Sequence, residues 1–394
     1  MESRETVEAS KDQPNTTRSR PIWMVLLLPV LVAAGLLAWW CRSTVPDGAE
    51  FAAEAAILPN GSARLERTLV VPTLDTPCPR GKNVIWCSSF QLTWNEIRDK
   101  VVGAPLKVRE AEEIAGRLNA ARQSISDIDP NSVYVAAGRV KEGIIEKIRK
   151  DMAAKFPSHE LPDFSNYPAD ILAYSYLLAH VPFEHPFEQI GSGVMFTDSS
   201  ENETRVGGFG LGEGHSPEHQ KIREQVEVVY TTSKRRERSL EPAEYALDLC
   251  RQSQPYQIVV ASVELKYTLA ETLEHIRAQA SDFKKRPYYE QARSFTGTTL
   301  RVPEMSWLIG HRFKELSGKI VTDIGEPILE AFQMIEFRLD RAGATVRSES
   351  YMATISIPIH FSLDHPFLLY MQKRGAEHPF FVMWVDNAEL LVRR

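Results

Sequence analysis

Phe361-Ser-Leu-Asp-His-Pro-Phe-Leu-Leu-Tyr370, followed by Glu377-His-Pro-Phe-Phe-Val-Met-Trp-Val385, holds two short apolar runs. A polar turn around Lys373-Arg374-Gly375 separates them, so the stretch reads as two buried strands joined by a hairpin. Upstream, Tyr256 to Leu265 is a further apolar strand run. Val108 to Ile128 places Ala111, Ile114, Ala115, Leu118 and Ala121 on one helical face. Val140 to Phe156 spaces Ile144, Ile145, Ile148 and Met152 for one stripe.

The chain has 394 residues, 43% hydrophobic and 25% charged, the composition of an ordinary globular protein. A net charge of −6 gives no sign of a nucleic-acid partner, which a basic face would usually meet. Ile22 to Trp40 is a 19-residue run without a charge. As a helix it is roughly 28 Å long and matches a bilayer core. Trp23, Trp39 and Trp40 stand at its ends, where amphipathic rings favour the interface. Arg4, Lys11, Arg18 and Arg20 precede the run, against Arg42 alone in the next twenty residues. The expectation is a single-pass protein with a cytoplasmic N-terminus and an extracytoplasmic body, in the periplasm or at the cell surface. No small-x-small cleavage pattern follows the run, so it reads as an uncleaved anchor.

Residues 1–21 are polar and read as a disordered cytoplasmic tail, 22–40 as the transmembrane helix, and 43–80, rich in Ala, Pro and Thr, as a stalk. The folded domain is expected over 83–394. Cys78 and Cys87 either close a small loop or stay as thiols, and Cys250 sits among apolar neighbours as a buried thiol.

Phe361 to Tyr370 resembles the C-terminal signature of the serpin family, F-x-A-D-H-P-F-L-F, with Leu363 where the family usually has Ala. Other stretches resemble the family in the same order along 83–392. Asn83 to Leu92 is similar to N-V-F-F-S-P-L-S-I, with one residue inserted and Ser89 for Pro. Ile171 to Phe187 is similar to the central strand L-V-N-A-I-Y-F-K-G-x-W-x-x-P-F, with Ser175 for Asn and Phe183 for Trp. Leu300-Arg-Val-Pro303 resembles the V-P-K-F strand, and Phe313 to Leu316 the helix after it. Ala331 to Gly343 resembles H-K-A-F-I-E-V-N-E-E-G, the strand that enters the loop. The chain between Leu316 and Ala331 is short, so one helix of the family is expected to be missing.

The resemblance implies an α+β fold, with large mixed β-sheets, surrounding helices and an exposed reactive loop. In an inhibitory serpin a protease cuts that loop, and the freed hinge inserts as a new strand into the main sheet. Side chains alternate across a strand, so every second hinge residue must be small or apolar. Counted from Gly343, the inward set is Ala344, Val346, Ser348, Ser350 and Met352, and the outward set Thr345, Arg347, Glu349 and Tyr351. The bait is Thr354, Ile355, Ser356, Ile357 and Pro358. Ala344-Thr345 departs from the family's Thr-Glu, and long Arg347 and Glu349 interrupt its run of small residues. The resulting reading is a membrane-displayed, non-inhibitory binding or structural domain. The alternative is a suicide-type inhibitor of an extracytoplasmic serine or cysteine protease.

No enzyme, metal or cofactor motif stands out. His215-Ser-Pro-Glu-His219 has metal-like spacing, but Pro217 argues against a helix that would place both rings together. Val206 to Gly214 is glycine-rich without the ending of a P-loop and reads as a surface loop. Lys234-Arg-Arg-Glu-Arg238 reads as a solvated turn.

Overall fold

The C-terminal apolar runs form two antiparallel neighbours, β20 (Phe367–Lys373) and β21 (Phe381–Val385). They lie inside a seven-stranded sheet ordered β11 (Glu227–Thr231), β12 (Tyr245–Asp248), β13 (Tyr256–Ser262), β20, β21, β4 (Asn83–Cys87), β3 (Thr68–Val70). β4, β12 and β21 are buried along their whole length; β21 is apolar throughout, while β4 begins with buried Asn83 and β12 ends with buried Asp248. In the hairpin turn Gly375 has φ +80°, a left-handed conformation that glycine adopts without strain. Arg374 beside it turns inward rather than to solvent. Its Nη1 lies 2.9 Å from Asp248 Oδ2, and its Nη2 and Nε donate to the carbonyls of Cys250 and Ser253 at 2.6 and 2.8 Å. Burial keeps the Asp248 carboxyl above its ordinary range even beside that guanidinium.

The computed structural model describes residues 55–58, 61–164, 170–214, 216–233, 241–296, 299–342 and 360–394. The chain divides into Met1–Ala49 and Glu50–Arg394, and the first unit lies outside the described residues together with the expected tail and apolar run. Among the described residues no helix is long and apolar enough to cross a membrane.

The expected stalk, 43–80, is in large part folded body. β1 (Ala55–Leu58) and β2 (Gly61–Ala63) form a hairpin, β3 joins the large sheet, and Leu65, Val70 and Val71 are buried. Composition misleads here because short apolar groups among Pro and Thr leave no period, yet Leu65, Val70, Val71 and Leu74 fill places in the core.

A second sheet is ordered β18 (Phe332–Leu339), β15 (Met305–Arg312), β1, β2, all antiparallel. β18 alternates strictly: Gln333, Ile335, Phe337 and Leu339 face inward, and Phe332, Met334, Glu336 and Arg338 outward. A third sheet is ordered β19 (His360–Ser362), β14 (Thr299–Pro303), β10 (Gly208–Leu211), β7 (Glu188–Gln189), with β19 parallel to β14. Separately, β5 (Val133–Arg139) pairs with β6 (Ile171–Leu177) over their full lengths.

β10 corrects the surface-loop reading of the glycine-rich stretch, since all four of its residues are buried. A Cβ on Gly210 would stand 1.8 Å from the Leu300 carbonyl oxygen, so close approach of β14 is what the glycine serves. Of the helices, α1 (Ser88–Glu96) follows β4 directly. α2 (Glu112–Ala120) is shorter than the pattern over 108–128, because Ala121 turns extended at ψ 138°. α3 (Ile144–Lys155) buries Ile144, Ile148 and Met152 as expected. α4 (Pro217–Gln225) forms despite Pro217, which occupies the first helical turn, where its missing N–H is harmless. Phe313 to Leu316 is a turn, not a helix, and a short pair of strands at Ile320–Val321 and Glu326–Pro327 fills the interval where a helix was expected to be missing. Cys78 and Cys87 are free thiols, as is buried Cys250. Burial pushes the Cys78 thiol up to about 12.

Candidate functional site

β6 pairs with β5 on one edge and β18 with β15 on one edge; among the described residues neither pairs on its other edge. The two stand near each other: the Tyr176 phenol on β6 is raised first by burial and then by the charge of Glu336 on β18. Among the described residues no ladder joins them, so β5–β6 and β18–β15 are separate half-sheets, and the slot is the interval between β6 and β18.

The first turn of α1 reaches both half-sheets. Ser175 Oγ, on β6, donates to the Ser89 carbonyl at 2.7 Å, and Thr93 Oγ1 lies 2.8 Å from Ser175 Oγ. Gln333 Nε2, on β18, donates to Ser89 Oγ at 2.7 Å and to the Cys87 carbonyl at 3.0 Å. Ser89 and Thr93 are one helical turn apart and share a face. Ser89 therefore bolts both edge strands to the same helix. Three short polar side chains do this where an apolar residue would leave the halves joined by packing alone.

His311 on β15 stands opposite Gln333 in the ladder, and both are buried on the inner face. Neither ring nitrogen of His311, nor Gln333 Oε1, has a hydrogen-bond partner among the described residues. Burial, helped by the Lys314 charge, holds the His311 imidazole down to about 3. An unfolded histidine titrates near 6.5, so on acidification the unfolded chain takes this proton first. The stability is complete above that unfolded value and is lost as the pH falls towards the folded one. Between pH 7 and pH 4 the loss is about 3 kcal/mol. His311→Leu is expected to remove that share of the acid destabilisation. Urea unfolding at both pH values checks it, and an unchanged difference between them counts against the assignment.

Outside β5 and β6, α3 forms a separate apolar cluster with Tyr134, Phe156 and Phe164, with Tyr174 and Tyr176 packed against it. The edge of β18 has a different continuation. After Leu339 the chain is held at Arg341, which exchanges hydrogen bonds with Phe187: N to O at 3.0 Å and Nε to O at 2.9 Å. The chain resumes at His360 in β19, on the third sheet. The expected hinge (Gly343, Ala344, Val346, Ser348, Ser350) and bait (Thr354, Ile355, Ser356, Ile357, Pro358) lie between these points, outside the described residues. What is placed is their two attachments, on different sheets.

No family model and no curated protein matches the chain. Solved structures do. It is similar to thyroxine-binding globulin in complex with thyroxine at 10% identity and a TM-score of 0.40, over 78% of this chain and 93% of that one. It is similar to native protease nexin-1 with heparin at 9% identity and 0.42, over 78% and 92%. Serpin48, described as a highly specific serpin in the insect Tenebrio molitor, matches at 13% and 0.36, over 72% of each chain. At these identities and scores the likeness is reported as likeness alone, and what the domain does rests on its own geometry.

The polar bolt was not among the sequence-derived site residues. Ser89 and Ser175 were visible as departures from the family pattern, and Gln333 as a polar residue inside the strand Phe332–Leu339. Nothing in the sequence brings the three together. Among the described residues no cluster of His, Cys, Asp or Glu is placed to hold a metal. His219 instead lies 2.9 Å from Glu188 and 2.7 Å from Ser216 Oγ, while His215 is outside the described residues.

Proposed function

We propose that this chain is a membrane-anchored, extracytoplasmic serpin-like binding domain, whose working part is the slot between β6 and β18. An extended segment entering it completes two ladders at once, a form of strand addition in which main-chain hydrogen bonds supply the affinity. The observation that carries this reading is the pair of edges left unpaired among the described residues, joined beneath by Ser89. Anchoring through 22–40, with the N-terminus cytoplasmic, follows from the apolar run and the basic residues before it.

A second reading is favoured by the chain path, since β18 leads directly into residues 343–359. Under it the domain traps a serine or cysteine protease, with the cut loop as the strand that fills the slot. Thermal unfolding of the full chain tests both, with and without a peptide of sequence 343–352, and after limited cleavage within 351–359. Each ladder hydrogen bond contributes about 1 kcal/mol, and 1 kcal/mol moves the midpoint of a domain this large by roughly 2 °C. A filled slot is therefore expected to raise the Tm by about 10 °C or more. A rise without a covalent protease complex supports the binding domain, and a rise with one supports the trap. No rise from peptide or cleavage overturns the slot.

A further inference from the structure

We propose that the N-terminal hairpin β1–β2 is a detachable clamp on the slot, through which the membrane tether governs strand entry; the inference rests on the slot reading above. β15 is flanked by β18 on one edge and by β1 on the other. Eight paired positions join β15 to β18, from Met305↔Leu339 to Arg312↔Phe332. On the opposite edge Ala55, Ala56 and Ile57 pair with Gly310, Ile309 and Leu308. β18 therefore borders the slot as the outer member of a unit that the hairpin secures from behind. A strand entering beside β18 needs about 4.8 Å of room on each of its edges. Shifting β18 to provide it carries β15 along, and the hairpin paired to the other edge of β15 must then move with it or let go.

The hairpin is built to come away by itself. It is short, and among the described residues it pairs with β15 at three ladder positions and Leu58 is its half-buried contact with the main core. Immediately after it the chain is fastened much more firmly. Leu65 is fully buried, and the Glu389 carboxylate accepts from the backbone N–H groups of Glu66 and Arg67, at 2.8 Å and 3.0–3.1 Å. Thr68 Oγ1 donates to the same carboxylate at 2.7 Å. A pull arriving from the N-terminal side thus peels β1 and β2 and stops at Glu389, leaving β3 and the large sheet intact. Local units with few contacts next to firmly held ones open separately in this way. The apolar run that reads as the anchor ends at Trp40, with fourteen residues between it and Ala55. The segment that clamps the half-sheet is therefore the one a membrane tether would load first.

Locking and releasing the clamp in the full chain tests the proposal. Ile57 and Leu308 are directly opposed on the outward face of the sheet, and opposed strand positions have the separation a disulfide needs. Ile57→Cys combined with Leu308→Cys gives a hairpin locked when oxidised and free when reduced. Ile57→Pro breaks the ladder instead. The readout is the rate at which added 343–352 peptide converts the protein to its higher-melting form. The oxidised double variant is expected to convert at least tenfold more slowly than wild type and to recover on reduction, and Ile57→Pro to convert at least tenfold faster. Equal rates in all forms overturn the clamp and leave the slot standing. If the peptide produces no higher-melting form in wild type, the slot fails and the clamp with it.

Discussion

Phe381→Ala is expected to lower the free energy of unfolding by about 3–5 kcal/mol, the loss typical of a buried aromatic truncated to a methyl group. Phe381 is 4% exposed in β21, the second strand of the C-terminal hairpin. Its ring stacks on Phe337 of β18 with centroids 4.9 Å apart and planes at 17°. Trp307 of β15 lies 6.4 Å from it and 5.4 Å from Phe337. This trio joins the large sheet to the half-sheet that borders the slot, so the cavity opens between two layers and cannot close by movement within one. Phe332→Ala provides the comparison on the same strand. It is 39% exposed on the outward face, and its loss is expected to stay near 0.5 kcal/mol. Equilibrium denaturation of both variants checks the contrast. Similar losses would show that the sheets are not coupled through this stack.

Val346→Arg is expected to abolish the cleavage-induced rise in Tm while leaving the uncut protein as stable as wild type. Val346 belongs to the inward set counted from Gly343, and lies outside the described residues. A strand that enters the slot turns that set towards α1 and the core. An arginine there arrives without a partner, at a cost of several kcal/mol, comparable with what the new ladders contribute. Arg347 and Glu349 fall in the outward set and impose no such penalty. Cleavage of the variant followed by calorimetry checks the result. An undiminished rise would mean that residues 343–352 do not enter the sheet in this register.

Much of the fold was legible because it is local. The hairpin β20–β21 follows from two apolar runs around Gly375, α3 from its stripe of Ile144, Ile148 and Met152, and β13 from its apolar run at Tyr256. Where local pattern and structure part, a distant neighbour is the cause. The glycines of β10 read as a loop until Leu300 is seen against Gly210. Pro217 is the local exception: it reads as a helix breaker, and the helix begins there behind the Ser216 cap. The Pro- and Thr-rich segment reads as a stalk until Leu65 and Val70 are seen inside the core.

The site divides in the same way. The sequence alone implied that 343–352, counted as a strand from Gly343, would carry Arg347 and Glu349 on one face, because alternation is a property of a single strand. The tertiary structure alone decided that β6 and β18, 155 positions apart from Leu177 to Phe332, stand near each other, each with one edge unpaired among the described residues. It alone brought Ser89, Ser175 and Gln333 to one bolt beneath them. The side-chain period of a strand is written along its own residues. Whether its backbone edge finds a partner depends on which distant strand folds against it, and no local period records that choice.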